Sequence, residues 1–134
     1  MTPFRLKIVT PYGPVFDGQA EELIVRTTSG DLGILASHMD CVAPLGMGRA
    51  TIVMEGKRRY GACIGGMLSV IGGTVNLVAT TFEWAEDIDV KRADASYDRA
   101  KSILDDRTAT DAEVRLAEAR LKRALVRKGV ASGK

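Results

Sequence analysis

The stretch NLVATTFEWAEDIDVKRADA, Asn76–Ala95, changes its period midway, and that change decides the fold. Before Trp84 the apolar residues recur at a spacing close to two, and all four prolines and nearly all the glycines occur there. After Trp84 the prolines vanish, alanines accumulate and the spacing lengthens. A period near two marks a strand with one buried face, and a period of about 3.6 marks a helix with one buried stripe. The chain reads as α+β, with a β-sandwich or flattened barrel over residues 1–85. A two-helix hairpin follows over 86–134.

Toward the N-terminus the strand signals repeat. Phe4, Leu6 and Ile8 alternate with Arg5 and Lys7, and Pro11, Gly13 and Pro14 break the run. Leu23 and Val25 alternate with Ile24 and Arg26 in a second extended run. RATIVMEGKRRYGAC reads as a hairpin turning at Glu55-Gly56, and MLSVIGGTVNLVA as another turning at Gly72-Gly73, where positive φ costs little. Many short strands with close turns imply a sandwich.

Toward the C-terminus, Glu86-Asp87 predicts the N-cap of a first helix, with an acid at the positive end of its dipole. Ala93, Tyr97, Ala100 and Leu104 share one face of it. DDRTATD interrupts the helix, and Thr110 with Glu113 forms a capping-box signature that opens a second one. There Val114, Ala117, Leu121 and Leu125 are predicted to share a face, and Gly129 to stop the helix. The two should pack as an antiparallel hairpin. Alanine on the facing stripes buries little area at about 25 cal/mol per Å2, so the hairpin is expected to be weakly held and able to open.

The whole chain bounds its function. It has 134 residues and a formal net charge of +2, which argues against a strongly basic nucleic-acid binder and an acidic disordered tail. No apolar run approaches the roughly 20 residues needed to span a bilayer. MTPFRLKIVTP resembles neither a signal nor a transit peptide. Cys41 and Cys63 form no C-x-x-C pair and have one histidine to join them, so zinc is not expected; two thiols are. The basic excess lies in the second helix and tail, at Arg115, Arg120, Lys122, Arg123, Arg127 and Lys128. A solvated helix face and a surface for an acidic partner or phosphate both account for it.

GDLGILASH, Gly30–His38, holds the only histidine. No G-x-S-x-G, H-E-x-x-H or P-loop accompanies it, and Ser37 is too close in sequence for His38 to serve as its base. No catalytic residue is assigned, and a histidine bonded within its loop is the favoured reading.

Four motifs in order then resemble the epsilon subunits of rotary F-type ATP synthases. They are FRLKIVTPYGPVFDG at the start, G-x-x-G-I-L-x-x-H at Gly30, Gly33, Ile34, Leu35 and His38, G-G-x-L-x-V at Gly65, Gly66, Leu68 and Val70, and AEDID at 85–89. The match runs to Arg127. The family often has Pro-Gly before its histidine and Ala-Pro after it; here stand Ala36-Ser37 and Met39-Asp40. The resemblance implies a non-catalytic rotor subunit of the central stalk, bound to the gamma subunit and touching the c-ring. It implies a peripheral place on the cytoplasmic face of a bacterial plasma membrane, without insertion. Its helices would extend toward the alpha and beta subunits and inhibit ATP hydrolysis. By this resemblance Asp31, Leu32, Gly33 and His38 belong to the contact loop, with Ile34 and Leu35 anchoring it and Asp31 and Leu32 facing out. Arg115, Arg120, Lys122 and Arg123 would supply the inhibitory basic face.

The family's I-D-x-x-R-A motif for ATP matches at Ile88, Asp89, Arg92 and Ala93. Glu83, Arg99, Arg123 and Arg127 fall where the family has further contacts. No cofactor is required; ATP would be a regulatory ligand that bridges the helices. Converging arginine forks suit a triphosphate. Ion pairs of Arg92, Arg99, Arg123 and Arg127 with Asp94, Asp98 and Glu118 account for the same residues equally well. A free-standing ATP-sensing adaptor is the alternative for the whole chain.

Overall fold

A computed structural model describes residues 2–133. The chain divides into two compact units, one ending at Trp84 and the other beginning at Ala85.

The first unit holds eight strands: β1 (Phe4–Thr10), β2 (Gly13–Ala20), β3 (Glu22–Thr27), β4 (Gly30–Ile34), β5 (Cys41–Pro44), β6 (Met47–Met54), β7 (Lys57–Ile71) and β8 (Thr74–Trp84). They hydrogen-bond in the order β2-β1-β8-β7-β6-β3-β4, with β5 on β7. Every pairing is antiparallel except β1 with β8, which run parallel from Arg5↔Thr74 to Val9↔Val78.

The sandwich arises because β7 serves two layers. Its first half, Lys57 to Ile64, pairs with β6, and its second half, Met67 to Val70, pairs with β5. Between them lie Gly65 and Gly66, at φ 68° and 113°. A Cβ on Gly66 would collide with the Val78 carbonyl, so only glycine lets the strand turn this corner. Leu6, Ile8, Leu23, Val25, Ile34, Ile52, Leu68 and Leu77 are fully buried between the layers. Each such side chain contributes roughly 1.5–3 kcal/mol of transfer free energy.

Both predicted hairpins form, with Glu55 and Gly56 at φ 50° and 74° and Gly72 and Gly73 at 56° and 80°. Each turn is tied by a distant carboxylate. Gly56 N–H donates to Glu21 at 2.9 Å, and Gly72 N–H donates to Asp40 at 3.0 Å. Cys41 and Cys63 are both free thiols, and burial pushes Cys63 up to about 12.

The second unit holds a short 3-10 turn at Ala85–Asp87, then α1 (Val90–Asp105) and α2 (Asp111–Ala131). Three expectations need correction here. The cap of α1 is Asp89, whose side chain accepts the Arg92 N–H at 3.0 Å; Glu86 and Asp87 lie in the 3-10 turn before it. Gly129 does not stop α2, which runs on to Ala131; the Ser132 N–H and hydroxyl close it on the carbonyls of Lys128 and Gly129. Leu125 is 49% exposed, and Ala124 takes the buried place beside it. A helix turns about 100° per residue, so one position decides which side chain reaches the seam. The seam is made of Ala93 and Ala100 on α1 and Ala117 and Ala124 on α2, with Tyr97, Leu104 and Leu121 half-buried along it. The predicted capping box is complete: Thr110 accepts the Glu113 N–H at 3.2 Å while Glu113 accepts from the Thr110 N–H.

Candidate functional site

GDLGILASH is not a single loop. Gly30–Ile34 is β4, paired with β3 from Thr27↔Gly30 to Leu23↔Ile34. Strand alternation then reverses two of the expected roles. Leu32 and Ile34 point inward, Leu32 packing on the core, whereas Leu35 is 48% exposed. Asp31 and Gly33 lie on the outer side, and Asp31 pairs with its cross-strand neighbour Arg26 at 2.9 Å.

The chain leaves β4 through Ser37, which has φ 66°, and His38, whose backbone N–H donates to the Leu35 carbonyl. His38 is half-buried, with Nδ1 2.7 Å from the Met39 carbonyl. A carbonyl only accepts, so Nδ1 carries the proton. Neither nearby acid engages the ring: Asp31 holds Arg26 and Asp40 holds the Gly72 turn.

The sandwich also exposes apolar side chains that sequence reading passed over. Val42 on β5, Met67 on β7 and Val78 on β8 are exposed, and Met67 pairs directly with Val78. Val42 pairs with Ser69, two residues along the same face from Met67. These three form an exposed apolar cluster on neighbouring strands of the sandwich; Leu35 and the 78%-exposed Met39 are uncovered as well. Their signal in the sequence is apolar residues at both parities of a strand, as in MLSVI and VNLV.

In the hairpin the candidate nucleotide residues are spread unevenly. Glu83 lies on β8, opposite Ala62, in the first unit. Ile88 and Ala93 are buried, and the Ala93 methyl is used in the seam. Asp89 gives one carboxylate oxygen to the α1 cap. The four arginines share a feature that spacing alone did not reveal. Arg92 and Arg99 immediately precede the seam residues Ala93 and Ala100, and Arg123 precedes Ala124. Arg127, four residues on, shares the face of Arg123. In an antiparallel pair, positions just before the seam on both helices fall on the same side, so all four arginines occupy one flank.

Asp94, Asp98 and Glu118 each follow a seam residue and so occupy the opposite flank. The expected ion-pair network therefore does not form as drawn. Asp94 pairs with Lys128 at 3.1 Å, and among the described residues no ion pair joins Arg92, Arg99 or Arg123 to these acids. Arg92 and Arg99 are exposed, and Arg123 and Arg127 are half-buried.

The expected basic face of α2 is two stripes rather than one. Arg115 and Lys122 are seven residues apart on the side away from the seam. Arg120 and Arg123 lie three apart on the flank shared with Arg127.

The family ATP synthase, Delta/Epsilon chain, beta-sandwich domain matches residues 3–85, and ATP synthase, Delta/Epsilon chain, long alpha-helix domain matches residues 86–131. The ATP synthase epsilon chain of Bacillus velezensis is 42% identical over 131 residues, 98% of each chain. That of Alkaliphilus oremlandii is 44% identical over 101 residues, 75% of each. A chain in the Euglena gracilis mitochondrial ATP synthase structure of OSCP, F1 and c-ring superposes with a TM-score of 0.80. It is 21% identical, over 91% of this chain and 77% of that one. A chain in the Tetrahymena thermophila mitochondrial ATP synthase central stalk and c-ring structure gives 0.61 at 17% identity, over 95% of each. At those identities the two structures establish a shared fold.

Proposed function

This chain belongs to the ATP synthase delta/epsilon chain family, and we propose that it is a rotor subunit whose sandwich docks on the gamma subunit and the c-ring. The observation that carries the docking is the exposed apolar cluster of Val42, Met67 and Val78, set side by side by strand register. A monomer gains nothing by leaving such residues in water, and a contiguous apolar surface suits a protein partner. Asp31 and the His38 segment would supply polar contacts, on the strength of the family resemblance. Val78→Lys keeps the strand and places a charge in the interface. Association with isolated gamma subunit should weaken at least tenfold while the circular dichroism spectrum stays unchanged. Undiminished association of the Val78→Lys, Met67→Lys double variant would refute docking through this face.

The hairpin carries the second part of the proposal: Arg92, Arg99, Arg123 and Arg127 bind the phosphates of ATP and hold the helices together. Their common flank supports this, as does the place of Asp94, Asp98 and Glu118 on the opposite one. Asp89, at the start of α1, is left for the nucleoside, beside the buried Ile88. No phosphate loop or hydrolytic base accompanies these residues, so ATP is bound and not turned over. Isothermal titration of the full chain should give a 1:1 isotherm that Arg92→Ala with Arg123→Ala abolishes. A flat isotherm up to millimolar ATP would remove the regulatory ligand and leave the rotor role standing. Extended helices would inhibit hydrolysis by meeting the alpha and beta subunits.

A further inference from the structure

We propose that Lys128 is a latch that fastens the open end of the helical hairpin, independently of any nucleotide. Its ammonium sits 3.1 Å from Oδ1 of Asp94 and 4.5 Å from the centre of the Tyr97 ring. One α2 side chain thus engages two α1 side chains three residues apart. An ion pair and a cation–π contact act on the same charge, and both vanish if the helices part.

The position matters because the two ends of the hairpin are fastened differently. At the loop end, the Thr110–Glu113 capping box and the Asp106–Thr108 bonds fix the chain, and the helices are covalently joined. Between the ends runs a seam of alanines, which bury little surface. At the far end, Lys128 ties α2 to α1 through the Asp94 carboxylate and the Tyr97 ring. Opening therefore starts at that end, and the latch sets how often it occurs. Asp94 and Lys128 are about half and one-third exposed, so salt weakens the ionic part while the ring contact persists.

Only the consequence for hydrolysis rests on the regulatory reading above; the opening itself is read on the full chain without ATP or partner subunits. Amide hydrogen exchange measures it. Lys128→Ala should speed exchange in residues 93–97 and 124–131 roughly five- to thirty-fold and leave 110–117 unchanged. Asp94→Asn should give a smaller increase and remove the salt dependence. Tyr97→Phe, which keeps the ring, should match the parent, while Tyr97→Leu should not. Lys101→Ala controls for the change in net charge. Unchanged exchange in Lys128→Ala would overturn the latch, as would equal acceleration at both ends or the same response in Lys101→Ala. A failure to bind ATP would leave these results untouched.

Discussion

Ser37 is a non-glycine residue at φ 66°, in the left-handed region. It stands where the resembling family often carries glycine. A Cβ there costs roughly 1–2 kcal/mol, partly offset by the lower entropy of a serine chain when unfolded. Ser37→Gly should therefore raise unfolding stability by about 0.5–1 kcal/mol, as read by urea titration; a loss of stability would show the φ to be unstrained. Asp40, next to the exposed Met39, stands where the family often has proline. Here the segment is restrained instead by the Gly72 N–H on the Asp40 carboxylate. The strand β4 was not legible in GDLGI, which reads as a loop because of its glycines, and only pairing with β3 sets Leu32 inward and leaves Leu35 out.

At the scale of the element, α2 depends on its cap. Thr110→Ala removes one half of the capping box and should cost about 1 kcal/mol, within a range of roughly 0.5–2. Thermal melts followed at the helical minimum should show the loss, and Thr110→Ser should restore most of it. The adjoining turn responds to acid. The Thr108 hydroxyl and then its backbone N–H hold Asp106 below the ordinary carboxylate value of 3.8. A depressed carboxylate stabilises fully above its unfolded value, and that contribution fades as pH falls through the lower folded value. Thr108→Val should raise the Asp106 midpoint toward 3.8 in a carboxyl NMR titration, and an unmoved midpoint would exclude the hydroxyl as its cause. Spacing and capping residues made both helices and the box legible. The start at Asp89 and the run past Gly129 were not, because an acid or a glycine near a helix end fits several boundary positions.

At the scale of the molecule, the charges of the hairpin are sorted by flank. Arginines occupy one side of the seam, and Asp94, Asp98 and Glu118 the other. Arg115 and Lys122 project away from both. The proposed inhibitory and nucleotide roles can therefore be separated. Reversal of Arg115 and Lys122 to Glu in the assembled enzyme should relieve inhibition of hydrolysis and leave ATP titration of the free subunit unchanged. Reversal of Arg123 and Arg127 should abolish the titration. If both pairs behave alike, the two stripes act as one surface.

Period, turn residues and capping signatures by themselves determined the α+β plan, the two tight hairpins and the two helices, and four ordered motifs carried the resemblance to the family. Those features rest on interactions between residues a few positions apart. Tertiary structure alone decided which side of β4 faces the core, that β7 bends at Gly66 to join two layers, and that the four arginines share one flank of the hairpin. Each of these depends on a partner strand or helix distant in sequence. A helix or strand has the same local geometry whichever side it presents, and only packing against that partner selects one.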